Sequence, residues 1–154
     1  MVSVTPFLWF PGTAGEALDF YAAAFTDSTI IDVTRGGGDD GTGVATGRLR
    51  LPGLELMLFN GPPIAEFTPA MSLFVQCETQ AEIDQHWEAL LDGGQAVQCG
   101  WLKDRFGVSW QIVPACLGEL LGSADRAAAN RAREEMLGMV KLDIAALRAA
   151  HAGA

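Results

Sequence analysis

The sequence predicts an α+β fold: two βαβββ-like modules forming a cupped mixed sheet with helices outside, followed by a C-terminal helix. Three observations predict it. Short apolar or β-branched runs bounded by Gly and Pro alternate with amphipathic helical stretches. The same order of elements occurs twice along the chain. The chain has 154 residues, 49% hydrophobic and 19% charged, enough for one core without disulfides or a structural metal.

In the first half, Val4–Phe10 reads as a buried strand ending at the turn Pro11-Gly12. Thr13, three residues before Glu16, has capping-box spacing. It opens a helix over Ala14–Phe25, with Ala17, Leu18, Tyr21, Ala24 and Phe25 on one stripe. Ile30–Thr34 is β-branched and reads as a strand. Gly36–Gly43 reads as an acidic, flexible loop. Val44–Leu51 and Leu54–Asn60 form a hairpin around Pro52-Gly53. Gly61–Pro69 connects the halves.

In the second half, Met71–Cys77 reads as a strand. Thr79–Leu91 reads as a helix with Ile83, Trp87, Leu90 and Leu91 apolar, stopped by Gly93-Gly94. Ala96–Trp101 and Val108–Val113 read as strands on either side of the turn Lys103–Gly107, with Pro114 as the stop. The tail Ala124–Ala150 is rich in helix formers, and Met136, Val140, Ile144 and Leu147 share a stripe; Gly138 is a weak spot within it.

The halves align in register. Glu82, Ile83 and Trp87 fall on Glu16, Ala17 and Tyr21 at one constant spacing, which also puts Ser72–Val75 on Pro6–Trp9. Gly107–Pro114 falls on Gly53–Asn60 at a shorter spacing. The second half is thus expected to be contracted in its middle, where the first half carries its glycine-rich loop. The expected organisation is a domain over 1–122, with modules at about 1–63 and 64–116, and a helical extension over 123–154 that packs on the domain or on a dimer partner.

Composition excludes several function classes. Ten Lys and Arg against nineteen Asp and Glu, a net charge of -9, leave no basic face for nucleic acid or an anionic membrane. No apolar run is long enough to span a bilayer, and Met1–Pro6 has no basic n-region, so a cytoplasmic location is expected. Cys77, Cys99 and Cys116 have no metal-ligand spacing and read as reduced thiols. Gly36, Gly38 and Gly41 match GxGxxG formally, but the residues after them read as strand rather than helix, so no nucleotide or methyl-donor site is expected there.

Several stretches carry a family resemblance: Pro6-Phe7-Leu8-Trp9-Phe10, Glu16–Tyr21, Phe67–Val75, Glu82-Ile83-Asp84 with Trp87, Cys99–Pro114 and Met136–Leu147. Together they resemble the PhnB-like branch of the vicinal-oxygen-chelate superfamily, which includes glyoxalases, bleomycin-resistance proteins and dioxygenases. Members of this branch often carry the label 3-demethylubiquinone-9 3-methyltransferase.

The resemblance implies a metal site fed from the first and last strands of each half. The positions implied are Pro6 and Ser72, and Met57 and Gln111. Pro has no donor atom, Met is a soft thioether and Ser a weak neutral ligand, so only Gln111 is a usual ligand type. No metal or other cofactor is therefore expected, with Glu55 and Gln111 as weak candidates should a divalent ion bind. The resemblance also implies a homodimer.

The expected pocket face carries Leu8, Phe10, Glu55, Phe59, Ser72, Phe74, Trp101 and Gln111, with Gln76 and Ser109 beside them. Such a cup either holds a small apolar or planar molecule or is filled by its own side chains. Cys99 has Lys103 and Arg105 near in sequence but no histidine, so a structural role is the plainer reading. The expected function is metal-independent binding of a small molecule by a homodimer. The alternative is a metal-dependent lyase, isomerase or dioxygenase of the same superfamily. Methyl transfer is not expected.

Overall fold

The structure is a computed structural model that describes residues 1–37, 41 and 43–154. The chain forms two compact units, Met1–Glu66 and Phe67–Ala154. Half of the loop expected at Gly36–Gly43, Gly38 included, lies outside the described residues.

The first unit contains β1 (Phe7–Phe10), α1 (Ala14–Ala24), β2 (Thr29–Gly37), β3 (Gly43–Leu51) and β4 (Leu54–Asn60). They form a four-stranded mixed sheet in the order β1-β4-β3-β2, with β1 and β4 parallel and the other pairs antiparallel. Side-chain alternation gives the sheet one apolar and one open face. Leu8, Phe10, Leu49, Leu51, Leu56 and Leu58 are buried, as are Ala14, Ala17, Leu18 and Tyr21 of the covering helix. Gly47 allows the close approach: a Cβ there would lie 2.9 Å from Leu18 Cδ2.

The capping box expected at Thr13 does not form, since the Thr13 side chain makes no cap bond. Asn60 replaces it. Its Oδ1 accepts from Ala14 N at 2.7 Å, and its Nδ2 donates to Val44 O at 2.8 Å, so the last residue of β4 satisfies the helix N-terminus.

The second unit contains β5 (Ser72–Cys77), α2 (Gln80–Leu91), β6 (Gln95–Ala96), β7 (Trp101–Lys103) and β8 (Ser109–Pro114), then α3 (Leu117–Leu121), α4 (Arg126–Leu137) and α5 (Ile144–Ala152). Its sheet repeats the first, in the order β5-β8-β7-β6 with β5 and β8 parallel. Here the cap is complete. Thr79 accepts from Glu82 N, and the Glu82 carboxylate accepts from Thr79 N. Those backbone donors hold the Glu82 carboxyl below its ordinary pKa. Helix α2 buries Ile83, Trp87 and Leu90 on the apolar face of Leu73, Cys77, Leu102, Trp110 and Ile112.

The strand expected over Ile30–Thr34 runs from Thr29 to Gly37, into the expected loop, and three other expected elements differ. The first strand begins at Phe7 rather than Val4. The strand expected over Ala96–Trp101 is interrupted after Ala96, because Cys99 and Gly100 both adopt positive φ, 60° and 80°. Their N–H groups leave the sheet and donate to Met139 O (2.9 Å) and Val140 O (2.8 Å). The single tail helix is two helices, broken where Gly138 caps α4 and Asp143 caps α5 through Ala146 N. The break supplies the two carbonyls that receive Cys99 and Gly100.

The tail packs on its own unit. Leu142 and Leu147 are fully buried in a cluster with Val113, with Leu117, Leu120, Met136 and Met139 packed around them. Gln80 bonds Leu142 O and Ile144 N, and Lys141 pairs with Asp84 at 2.6 Å. No helix among the described residues is long and apolar enough to cross a membrane.

Candidate ligand site

The register between the halves decides which residues share a face. Gly61 N donates to Phe10 O, and Ala115 N donates to Cys77 O, at the same place in each sheet. Phe10 therefore corresponds to Cys77, whereas the expected alignment matches it with Gln76. The helices keep the expected alignment, since Ala17 N bonds Thr13 O as Ile83 N bonds Thr79 O. The first strands are thus shifted by one position relative to the helices, because the connector Pro11-Gly12 is matched by Glu78 alone.

With a side-chain period of 2, that slip reverses the face of β1. Leu8 and Phe10 lie on the buried face with Leu58, not on the open face expected for a pocket. The open face of the first unit carries Phe7 and Trp9, both against the Phe59 ring, with centroids 5.6 and 4.8 Å away. Glu55 is engaged by Arg50 at 2.7 Å. By the same register, Thr5 rather than Pro6 takes the place that Ser72 holds in the second unit.

The second unit brings four expected residues together. Phe74, Gln111 and Trp101 are register partners across β5, β8 and β7, so they form one row on the open face. Gln111 Nε2 donates to Ser72 Oγ at 2.9 Å. Over this row lies a cavity of about 480 Å³. Its floor includes Phe74, Gln76, Gln111 and Trp101. Leu117 and Leu121 of α3 and Met136 of α4 form a wall. Val113, Cys99, Pro114, Ala115 and Gly118 complete the lining, and no lining residue is charged.

Sequence reasoning misses the tail wall as part of a site. Its signal is present: the stripe through Met136 has to cover something, and in this unit it covers the end of β8 at Val113.

The residues at the implied metal positions do not fit a divalent ion. Their donors are the hydroxyls of Thr5 and Ser72, the thioether of Met57 and the amide of Gln111, which provide neither charge nor imidazole. The Gln111 amide nitrogen and the Ser72 hydroxyl bond each other. Among the described residues, no three His, Cys, Asp or Glu side chains form a metal-binding group.

A profile of the 3-demethylubiquinone-9 3-methyltransferase family matches residues 2–113. The chain belongs to this family. Among solved structures, it is similar to the PhnB protein from Bacillus cereus, with 36% identity over 74% of this chain and 100% of that one, and a TM-score of 0.67. It is also similar to protein PA1353 from Pseudomonas aeruginosa, with 23% identity over 73% of this chain and 96% of that one, and a TM-score of 0.62. The fosfomycin-resistance protein FosX from Listeria monocytogenes shares the fold, with 16% identity over 71% of this chain and 91% of that one, and a TM-score of 0.52. These likenesses place the PhnB-like chain in the vicinal-oxygen-chelate fold. No curated protein matches it.

The 3-demethylubiquinone-9 3-methyltransferase family is named for methyl transfer, but this member's glycine run has a different setting from a cofactor turn. Gly36 lies in β2, and Gly43 opens β3, which returns antiparallel to it. The run therefore leads into a strand. A phosphate- or nucleotide-holding turn of this type leads into a helix N-terminus.

Proposed function

We propose that this PhnB-like protein is a cytoplasmic, metal-independent homodimer that binds an uncharged apolar or planar small molecule, and that it is neither a methyltransferase nor a metal-dependent lyase, isomerase or dioxygenase. One observation carries the reading. The face where the superfamily places its metal holds, in the second unit, a charge-free cavity of about 480 Å³, with Ser72 and Gln111 hydrogen-bonded to each other. That volume is within the usual range for small-molecule sites, roughly 300–1,000 Å³. Self-association is supported by the open face of the first unit, where Phe7, 52% exposed, stands beside Phe59. The three cysteines are free, as suits a reducing compartment.

The test is thermal melting of chelator-treated protein against uncharged bicyclic aromatics, with light scattering to give the mass. Stabilisation without metal, at the mass of a dimer, supports the reading. Stabilisation seen only after loading with Mn, Zn, Ni or Fe(II) would overturn metal independence, and a monomer mass would overturn the homodimer.

A further inference from the structure

We infer that the cavity of the second unit selects flat, uncharged molecules bearing an O–H or N–H donor on one edge, and that Gln111 Oε1 reads that donor. The inference rests on the binding reading above and goes further by naming the recognised group.

In the row Phe74, Gln111, Trp101, each residue is the register partner of the next, so the carboxamide stands between two aromatic side chains on one face. Neighbouring strands are about 4.8 Å apart, so the two aromatics start from backbones about 10 Å apart with Gln111 midway. A flat ring that stands on edge over Gln111 can meet an aromatic surface on either side. The rest of the lining includes Val113, Leu117, Leu121 and Met136, which favour apolar surface, and a second amide, Gln76.

The polarity of the contact follows from Ser72. The Gln111 amide nitrogen donates to Ser72 Oγ at 2.9 Å, which orients the side chain and leaves Oε1 with no hydrogen bond among the described residues. An unbonded carbonyl oxygen in an apolar cavity is satisfied only by a donor, so a ligand that donates there is favoured over one of the same shape that does not. With no charged side chain in the lining, an anion or cation would lose its hydration without a counter-charge.

The experiment uses three probes of one shape on the full chain after chelator treatment: 2-naphthol, 2-methoxynaphthalene and 2-naphthoate. Dissociation constants are measured by calorimetry. The expected order is 2-naphthol tightest, about threefold to tenfold over the methyl ether, with the carboxylate weakest. In Gln111→Leu the gap between 2-naphthol and the ether closes. In Trp101→Ala both bind more weakly by a similar factor, which keeps the test usable if the first variant does not fold. Equal binding of the naphthol and the ether by the unaltered chain, or tighter binding of the naphthoate, would overturn this inference and leave small-molecule binding standing. Failure of all three probes to bind would overturn both.

Discussion

Gln111 and Ser72 hold each other. The Gln111 amide donates to the Ser72 hydroxyl across a diagonal of the parallel pair β5 and β8, at 2.9 Å. In the metal-binding members that the resemblance implies, this diagonal would present two ligands to one ion. A neutral, half-buried hydrogen bond contributes about 1 kcal/mol. Ser72→Ala is therefore expected to lower unfolding free energy by no more than about 1.5 kcal/mol in chemical denaturation. A loss well beyond that would mean the pair does more than orient one amide.

Asp104 is the costlier polar residue to remove. It is 3% exposed, and its carboxyl accepts from Phe106 N, Val108 N and Trp110 Nε1 at 2.9, 3.0 and 2.8 Å. It shapes the turn before β8 and satisfies the buried Trp110 indole. Asp104→Ala removes the acceptor that these three donors share and should cost about 2–5 kcal/mol, read as a lower denaturation midpoint.

The tail belongs to the folded unit rather than hanging from it. Leu142 and Leu147 are fully buried with Val113, and Met136 lines the cavity. Leu142→Ala should cost about 2–5 kcal/mol. Truncation after Gly122 should lower the melting temperature and abolish probe binding. A truncated chain that melts and binds like the whole would contradict this.

Acid and alkali should act at different places. Burial raises the Cys77 thiol from 9.0 to about 11. A raised folded pKa gives stability that is fully present below pH 9.0 and lost as pH rises through about 11. Native Cys77 should therefore resist alkylation at mildly alkaline pH in mass-mapped labelling and react once unfolded. In acid, Asp84 is held below its ordinary pKa by Lys141 and Gln80, and Asp125 by Ala128 N and Ala127 N. Stability from these depressed groups is present above their ordinary value of 3.8 and lost as pH falls through the folded values. Loosening of α4 and the Lys141 contact is thus expected at the acid end.

The helices are legible in the sequence because burial leaves a wide stripe. Ala17 and Tyr21 match Ile83 and Trp87 in both sequence and structure. Strand faces are less secure, because one missing connector residue reverses a period of 2. Pro11-Gly12 against Glu78 is enough to put Leu8 and Phe10 on the wrong side, although Ser72, Phe74, Trp101 and Gln111 do share one face as expected. Cys99 at φ 60° gives no warning, since residues other than Gly, Asn and Asp adopt that conformation infrequently. Gly138 and Asp143 do carry a break signal, a helix stop followed by an N-cap, which the continuous run of Ala and Leu obscures.

The most direct test of the central claim, a metal-independent site, is elemental analysis of untagged protein purified without chelators, reported as metal per chain. Metal independence predicts a value near zero, unchanged after incubation with Mn, Zn, Ni or Fe(II). A value near one that falls in Gln111→Ala or Glu55→Ala would contradict it and return the chain to the metalloenzymes of its superfamily.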